Sequence, residues 1–118
     1  MLDEMNDWRE LKTMVKALAD VARLTIVYHL ARQEEVTVTA LTDLLKISQP
    51  LVSWHLRKLR RAGLMRTRRA GRQVYCSLDK ERFQYCLQRL GHLIDPTIVI
   101  GLLPIGASLI EAEAVLEE

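Results

Sequence analysis

The sequence predicts a mainly α-helical fold carrying one small β-hairpin, on three observations. Apolar residues recur at helical spacing over five stretches of the 118-residue chain. One pair of short runs, Met65 to Ala70 and Gln73 to Leu78, brackets Gly71-Arg72 in the manner of a hairpin. Those runs follow at once on a helix rich in arginine. A helix leading straight into a basic hairpin is the layout of a winged helix-turn-helix, in which the helix enters the major groove and the hairpin lies along the backbone. Length gives one domain, large enough for a core yet small enough that a partner subunit would help. With 49% apolar residues, the chain is globular rather than disordered.

The first helix is expected over Asp7 to Ala19, capped by Asn6 or Asp7, with Trp8, Leu11, Val15 and Leu18 on one face and Met14 broadening it. The second runs from Asp20 to Ala31, turning Leu24, Val27 and Leu30 or Ala31 inward, and Gln33 to Glu35 form a polar connection. Thr37 or Thr39 starts a short helix that carries Leu41, Leu44 and Leu45 to the core. Lys46-Ile47 makes the turn, so Thr39 to Gly63 is the helix-turn-helix. Ser48 is the N-cap candidate of the next helix, because its hydroxyl can accept from a first-turn amide. Pro50 suits that first turn, and Gly63 ends the helix in a left-handed conformation. Val52, Leu56 and Leu59 form its apolar stripe. Opposite lie Pro50, Trp54, Arg57, Lys58 and Arg61, flanked by Gln49 and Ser53.

In the hairpin, Val74, Cys76 and Leu78 alternate inward against Tyr75 and Ser77 outward. A last helix over Asp79 to Ile94 puts Phe83, Cys86, Leu87, Leu90, Leu93 and Ile94 on one face. Beyond Asp95, two glycines and two prolines interrupt eight aliphatic residues between Ile98 and Ile110. Residues 1–95 are therefore expected to form the DNA-binding and dimerisation domain, and 96–118 an apolar extension packed on it. Its breaks argue against a membrane span.

The net charge of +2 conceals a sharp division. Nine of the seventeen Lys and Arg fall between Leu44 and Leu78, where there is no Asp or Glu; the other eight share the rest of the chain with all fifteen acids. One basic segment on an otherwise acidic chain is the footprint of a nucleic-acid binder, and solvated surfaces usually mix signs. The acidic start, MLDEMNDWRE, has no apolar core, and two cysteines without an export signal suit a reducing compartment, so the expected location is cytoplasmic.

On this reading Arg57, Lys58, Arg60 and Arg61 neutralise phosphates, joined by Arg66, Arg68, Arg69 and Arg72 of the wing. Base choice falls to the helix's first turns, where Ser48 and Pro50 are also expected at the DNA, Gln49 can pair with an adenine edge and Ser53 with several bases. Trp54 packs on thymine methyls or sugar, or alternatively under the wing. His55, at the edge of the stripe, is structural or contacts phosphate.

SQPLVSWHLRKLRRAGLM, followed by GRQVYCSLD and preceded by KALADVARLTIVYHL, resembles the ArsR/SmtB family of small bacterial winged-helix repressors. The resemblance covers about Lys16 to Leu90. It departs at Val21-Ala22, where the family more often has Pro-Thr, and at Trp54, a position the family tends to fill with a polar residue. The resemblance implies a homodimer whose first and last helices meet across the two-fold axis, with Trp8, Leu11, Val15, Phe83, Leu87 and Leu90 in the interface. It also implies a repressor on a palindromic double-stranded operator, released by an effector that the residues do not identify.

Family members often sense metals. The helix before the recognition helix, TVTALTDLL, lacks the cysteines one such site uses. Asp79, Cys86 and His92 do not reproduce the spacing of a second site along the last helix. Cys86 and His92 stand roughly 240° apart around one helix, so it cannot present both to one ion. A site shared between two subunits stays open, but zinc or arsenite sensing by the familiar sites is disfavoured, and no metal within the chain and no cofactor is expected. Cys76 and Cys86 as a redox pair compete with two small core residues, and their inward pattern favours the core. No phosphate loop or nucleophile set suggests an enzyme. The rival reading is a dimerising winged-helix interaction module that works through its apolar tail.

Overall fold

The computed structural model describes residues 2–99, with side chains from Asp7 onward. The expectations for the tail beyond Val99, and so for the division at residue 95, lie outside the described residues. Five helices and three strands follow in the order α1 (Leu2–Leu18), α2 (Val21–Arg32), β1 (Val36–Thr37), α3 (Val38–Leu45), α4 (Gln49–Arg61), β2 (Met65–Ala70), β3 (Gln73–Leu78) and α5 (Lys80–His92).

Polar side chains set most of the helix starts. The Asp20 carboxylate accepts from the amides of Ala22 and Arg23 at 2.9 and 3.2 Å, opening α2. Thr37, rather than Thr39, caps α3, its hydroxyl accepting from Ala40 at 3.1 Å. Ser48 caps α4 and Asp79 caps α5, accepting from the amides of Leu51 and Arg82. Each such cap stabilises its helix by about 1 kcal/mol. The tight turn between α3 and α4 needs a left-handed residue, and Lys46 supplies it at φ 55°, its amide donating to the Thr42 carbonyl. At the far end of α4, Gly63 takes φ +78°, and the Leu64 amide donates back to the Leu59 carbonyl at 3.0 Å.

The sheet is antiparallel in the order β1-β3-β2. Its wing matches the expected boundaries, with Thr67 opposite Cys76 and Gly71 at the tip in a left-handed conformation. β1 was not expected: Val36 pairs with Cys76 and is buried, tying the α2–α3 connection to the wing's base.

The core gathers Leu11 and Met14 of α1, Ile26 and Leu30 of α2, Leu41 of α3, Val52, Leu56 and Leu59 of α4, Leu64 and Met65, Cys76 and Cys86. Two inward assignments are corrected. Leu24 is half exposed while Arg23 and Ile26 take the buried side of α2, and Leu44 is exposed while Leu41 carries α3. On α1 the buried stripe is Leu11, Met14 and Ala17, one step round the helix from Trp8 and Val15, which face outward.

Candidate nucleic-acid interface

α4 separates its faces sharply. Val52, His55, Leu56 and Leu59 are buried, whereas Gln49, Pro50, Trp54, Arg57, Lys58, Arg60 and Arg61 are exposed. Between this outer face and the wing runs a cleft of about 510 Å³. Gln49, Pro50, Ser53, Arg57 and Arg60 line it from α4, Arg69, Arg72 and Gln73 from the wing, and Val38 and Thr39 from the start of α3. No carboxylate stands among these lining residues. Ser48, expected on DNA, is the exposed N-cap just before Gln49 and is not among the lining residues. The Arg60 guanidinium also donates to the Thr67 hydroxyl at 3.4 Å, linking helix to wing. Thr39 and Gln73 were missed by sequence reasoning, since neither carries charge nor sits on the recognition helix.

The wing's arginines divide into two pairs. Arg66 bonds Asp79 at 2.9 Å. Arg68 grips Glu35 through two hydrogen bonds, at 2.6 and 2.8 Å, with its guanidinium over the Tyr75 ring. The hydrogen bonds from Arg68 hold the Glu35 carboxyl below its usual range, and the same bonds raise Arg68. Arg69 and Arg72 point into the cleft. Strand alternation sends Arg69 to the sheet face opposite Arg66 and Arg68, and Arg72 reaches the cleft from the turn after β2. Arg68, expected on DNA, is thus committed to a carboxylate within the protomer.

His55 is buried, and of its two expected roles the structure favours the structural one. The Arg23 guanidinium donates to His55 Nδ1 at 3.1 Å and to the Ala17 carbonyl at 2.6 Å, with Asp20 at 3.9 Å from the imidazole. Arginine cannot accept, so Nδ1 is the acceptor. This knot ties α4 to the corner between α1 and α2. Burial alone would raise Asp20; the amides of Arg23 and Ala22 and the charge of Arg23 outweigh it and hold the carboxyl low.

Trp54 does not lie under the wing. It is 43% exposed on the opposite flank of α4, with the Arg23 guanidinium 5.6 Å and the Lys58 amine 5.1 Å from its ring centre.

The residues expected at a dimer interface also sort by burial. Trp8, Val15 and Leu87 are exposed, Phe83 and Leu90 are half-buried against the core, and Leu11 lies inside the protomer's own core. Tying the two helices together, Arg82 pairs with Glu10, and Arg89 lies 3.8 Å from Asp7. Cys76 and Cys86 are free thiols and buried. Burial pushes Cys76 up to about 11 against a smaller pull from Arg60, and burial likewise raises Cys86 against Arg82. Neither is a thiolate near neutrality, which weighs against redox chemistry. Among the described residues no three His, Cys, Asp or Glu gather as a metal site, and no helix is long and apolar enough to cross a membrane.

Comparison with known proteins agrees with this geometry. The family described as bacterial regulatory proteins of the arsR family matches residues 20–67. The arsenic resistance transcriptional regulator ArsR1 of Pseudomonas putida is 39% identical over 90 residues, 74% of this chain and 70% of that protein. Reduced HlyU from Vibrio cholerae superposes with a TM-score of 0.62 at 31% identity, covering 76% of this chain and 97% of that one. The homodimeric winged helix-turn-helix DNA-binding domain of Mb0332 from Mycobacterium bovis superposes at 0.64 with 25% identity, covering 75% and 83%. The chain belongs to the ArsR family of bacterial regulatory proteins, with their winged helix-turn-helix fold.

Proposed function

We propose that the protein is a homodimeric transcriptional repressor that binds a palindromic DNA operator and leaves it when an effector binds. The observation that carries this reading is the acid-free cleft between α4 and the wing, where Arg57, Arg60, Arg69 and Arg72 surround the base-reading positions Gln49 and Ser53. Cations there hold phosphates and set register, while the amide and hydroxyl sample base edges. The relatives support the same reading, one being an arsenic resistance regulator and one a homodimeric DNA-binding domain. The exposed Trp8, Val15 and Leu87 supply the apolar surface of the two-fold contact, which spaces the two copies of α4 roughly 34–36 Å apart, one turn of DNA. A DNA operator as partner places the protein in the cytoplasm. Nothing in this mechanism calls on a cofactor or on catalysis. Footprinting on the region upstream of its own gene tests the reading: it predicts protection in two half-sites one turn apart, and uniform or absent protection counts against it.

A further inference from the structure

A second basic groove, of about 660 Å³, flanks α4 on the side away from the wing. Arg9, Lys12 and Lys16 line it from α1, Lys58 and Arg61 from α4, and Arg23 and Trp54 sit between them. Most of these cations lie outside the basic stretch of the sequence. Three features single the groove out. First, α1 sorts its charges: at i, i+3 and i+7 its three cations share one face, while Asp7 and Glu10 turn to Arg89 and Arg82 of α5. Among the described residues none of the three cations meets a carboxylate. Second, α4 itself splits its cations, Arg57 and Arg60 lining the wing-side cleft and Lys58 and Arg61 this one, a rotation of about 100° between pairs. Third, Trp54 stays 43% exposed beside Lys58 and Arg23 rather than being buried.

A helix seated in a major groove about 12 Å wide is bordered by one phosphate strand on each side. Cations on one flank of α4 serve one strand. We infer that the α1–α4 groove seats the other strand, with Arg9, Lys12 and Lys16 as phosphate contacts and the Trp54 ring against a deoxyribose. This rests on the DNA-binding reading above and adds α1 to the contact surface. Trp54 is then a backbone contact rather than a reader of thymine methyls, because it faces away from the cleft that holds Gln49 and Ser53.

The test is binding of the full chain to a mixed-sequence duplex of roughly 40 base pairs, long enough for both halves of a dimer and their flanks. Affinity is measured by anisotropy from about 50 to about 200 mM salt for wild type, Lys12→Gln/Lys16→Gln, and the wing-side pair Arg57→Gln/Arg69→Gln. Both lysines are exposed and glutamine is an adequate helix former, so the fold survives. Two lost phosphate contacts per protomer should narrow the gap between wild type and the lysine variant by at least roughly tenfold over that range. If only the wing-side pair flattens the salt dependence, the α1 groove is not a DNA contact although the protein still is a DNA binder. A wild-type chain that fails to bind duplex DNA at low salt overturns both readings.

Discussion

α4 and α5 are both thirteen-residue helices with an acceptor side chain at the N-cap, and both bury one apolar stripe in the same core. Their outer faces differ. α4 presents Arg57, Lys58, Arg60 and Arg61 with no acid among the described residues lining its two grooves. α5 pairs Arg82 and Arg89 with Glu10 and Asp7 of α1, leaving Leu87 exposed, with Leu93 and Ile94 exposed just past its end. Neutralised charge beside apolar surface suits a protein partner, whereas unpaired charge suits phosphate. The inward faces make one fold; on the proposed function, the outward faces divide dimerisation from DNA binding.

The largest effect should come from putting charge on the α1–α5 face. Leu87→Asp and Trp8→Asp each place an unpaired carboxylate in the proposed two-fold contact, at a cost of about 3 kcal/mol or more. Since both side chains are exposed in the protomer, the fold should persist while sedimentation shows monomers. A dimer of unchanged affinity in both variants would move the interface elsewhere.

Next in size is the knot behind α4. Arg23→Ala removes the donor to His55 Nδ1 and to the Ala17 carbonyl, leaving two acceptors underneath α4 without their partner. A loss of about 1–3 kcal/mol in denaturant unfolding is expected. No change would mean that the knot contributes nothing to holding α4 in place.

Gln49→Ala sharpens the contrast within α4 itself. It should cost on the order of 1–3 kcal/mol at one base position and leave binding to random DNA nearly unchanged. Equal losses on operator and random duplex would reduce Gln49 to a backbone contact.

The smallest effect concerns the thiols, which belong to the shared core rather than to either outer face. Cys76 has a pKa of about 11 in the fold against 9.0 ordinarily, so the unfolded chain loses that proton first as pH rises. Its contribution to stability is complete below about pH 9 and disappears as pH climbs towards 11. Labelling of native protein by a thiol reagent at neutral pH should be slow, and Cys76→Ser/Cys86→Ser should retain DNA binding under peroxide as wild type does. Peroxide releasing wild type but not the double variant would restore a redox role.

Much of this was legible from residue spacing. The stripe Val52, Leu56, Leu59, the Ser48 cap, the Gly63 stop and both wing strands are local patterns, and the structure reproduces them. What depends on packing was not. β1 is two residues long, too short for any periodicity to register. Leu24 and Leu44 looked inward by type, but α2 buries the polar Arg23 in order to reach His55, and hydrophobicity alone cannot anticipate that rotation. The two arginines Arg68 and Arg69 are chemically identical in a sequence; only the pairing of β1 with β3 and the position of Glu35 show that one is held and the other is free for the cleft. The groove on α1 escaped because its cations are interleaved with acids along the chain and separate only in three dimensions.

That last pair of arginines gives the most direct test of the central claim, that the cleft between α4 and the wing is where DNA sits. The measurement is the slope of log affinity against log salt for Arg69→Ala and Arg68→Ala on the same duplex. The cleft geometry predicts that Arg69→Ala flattens the slope by roughly one unit per protomer and that Arg68→Ala, whose side chain is held by Glu35, leaves it close to wild type. Equal slopes for the two variants, or a flatter one for Arg68→Ala alone, would contradict it.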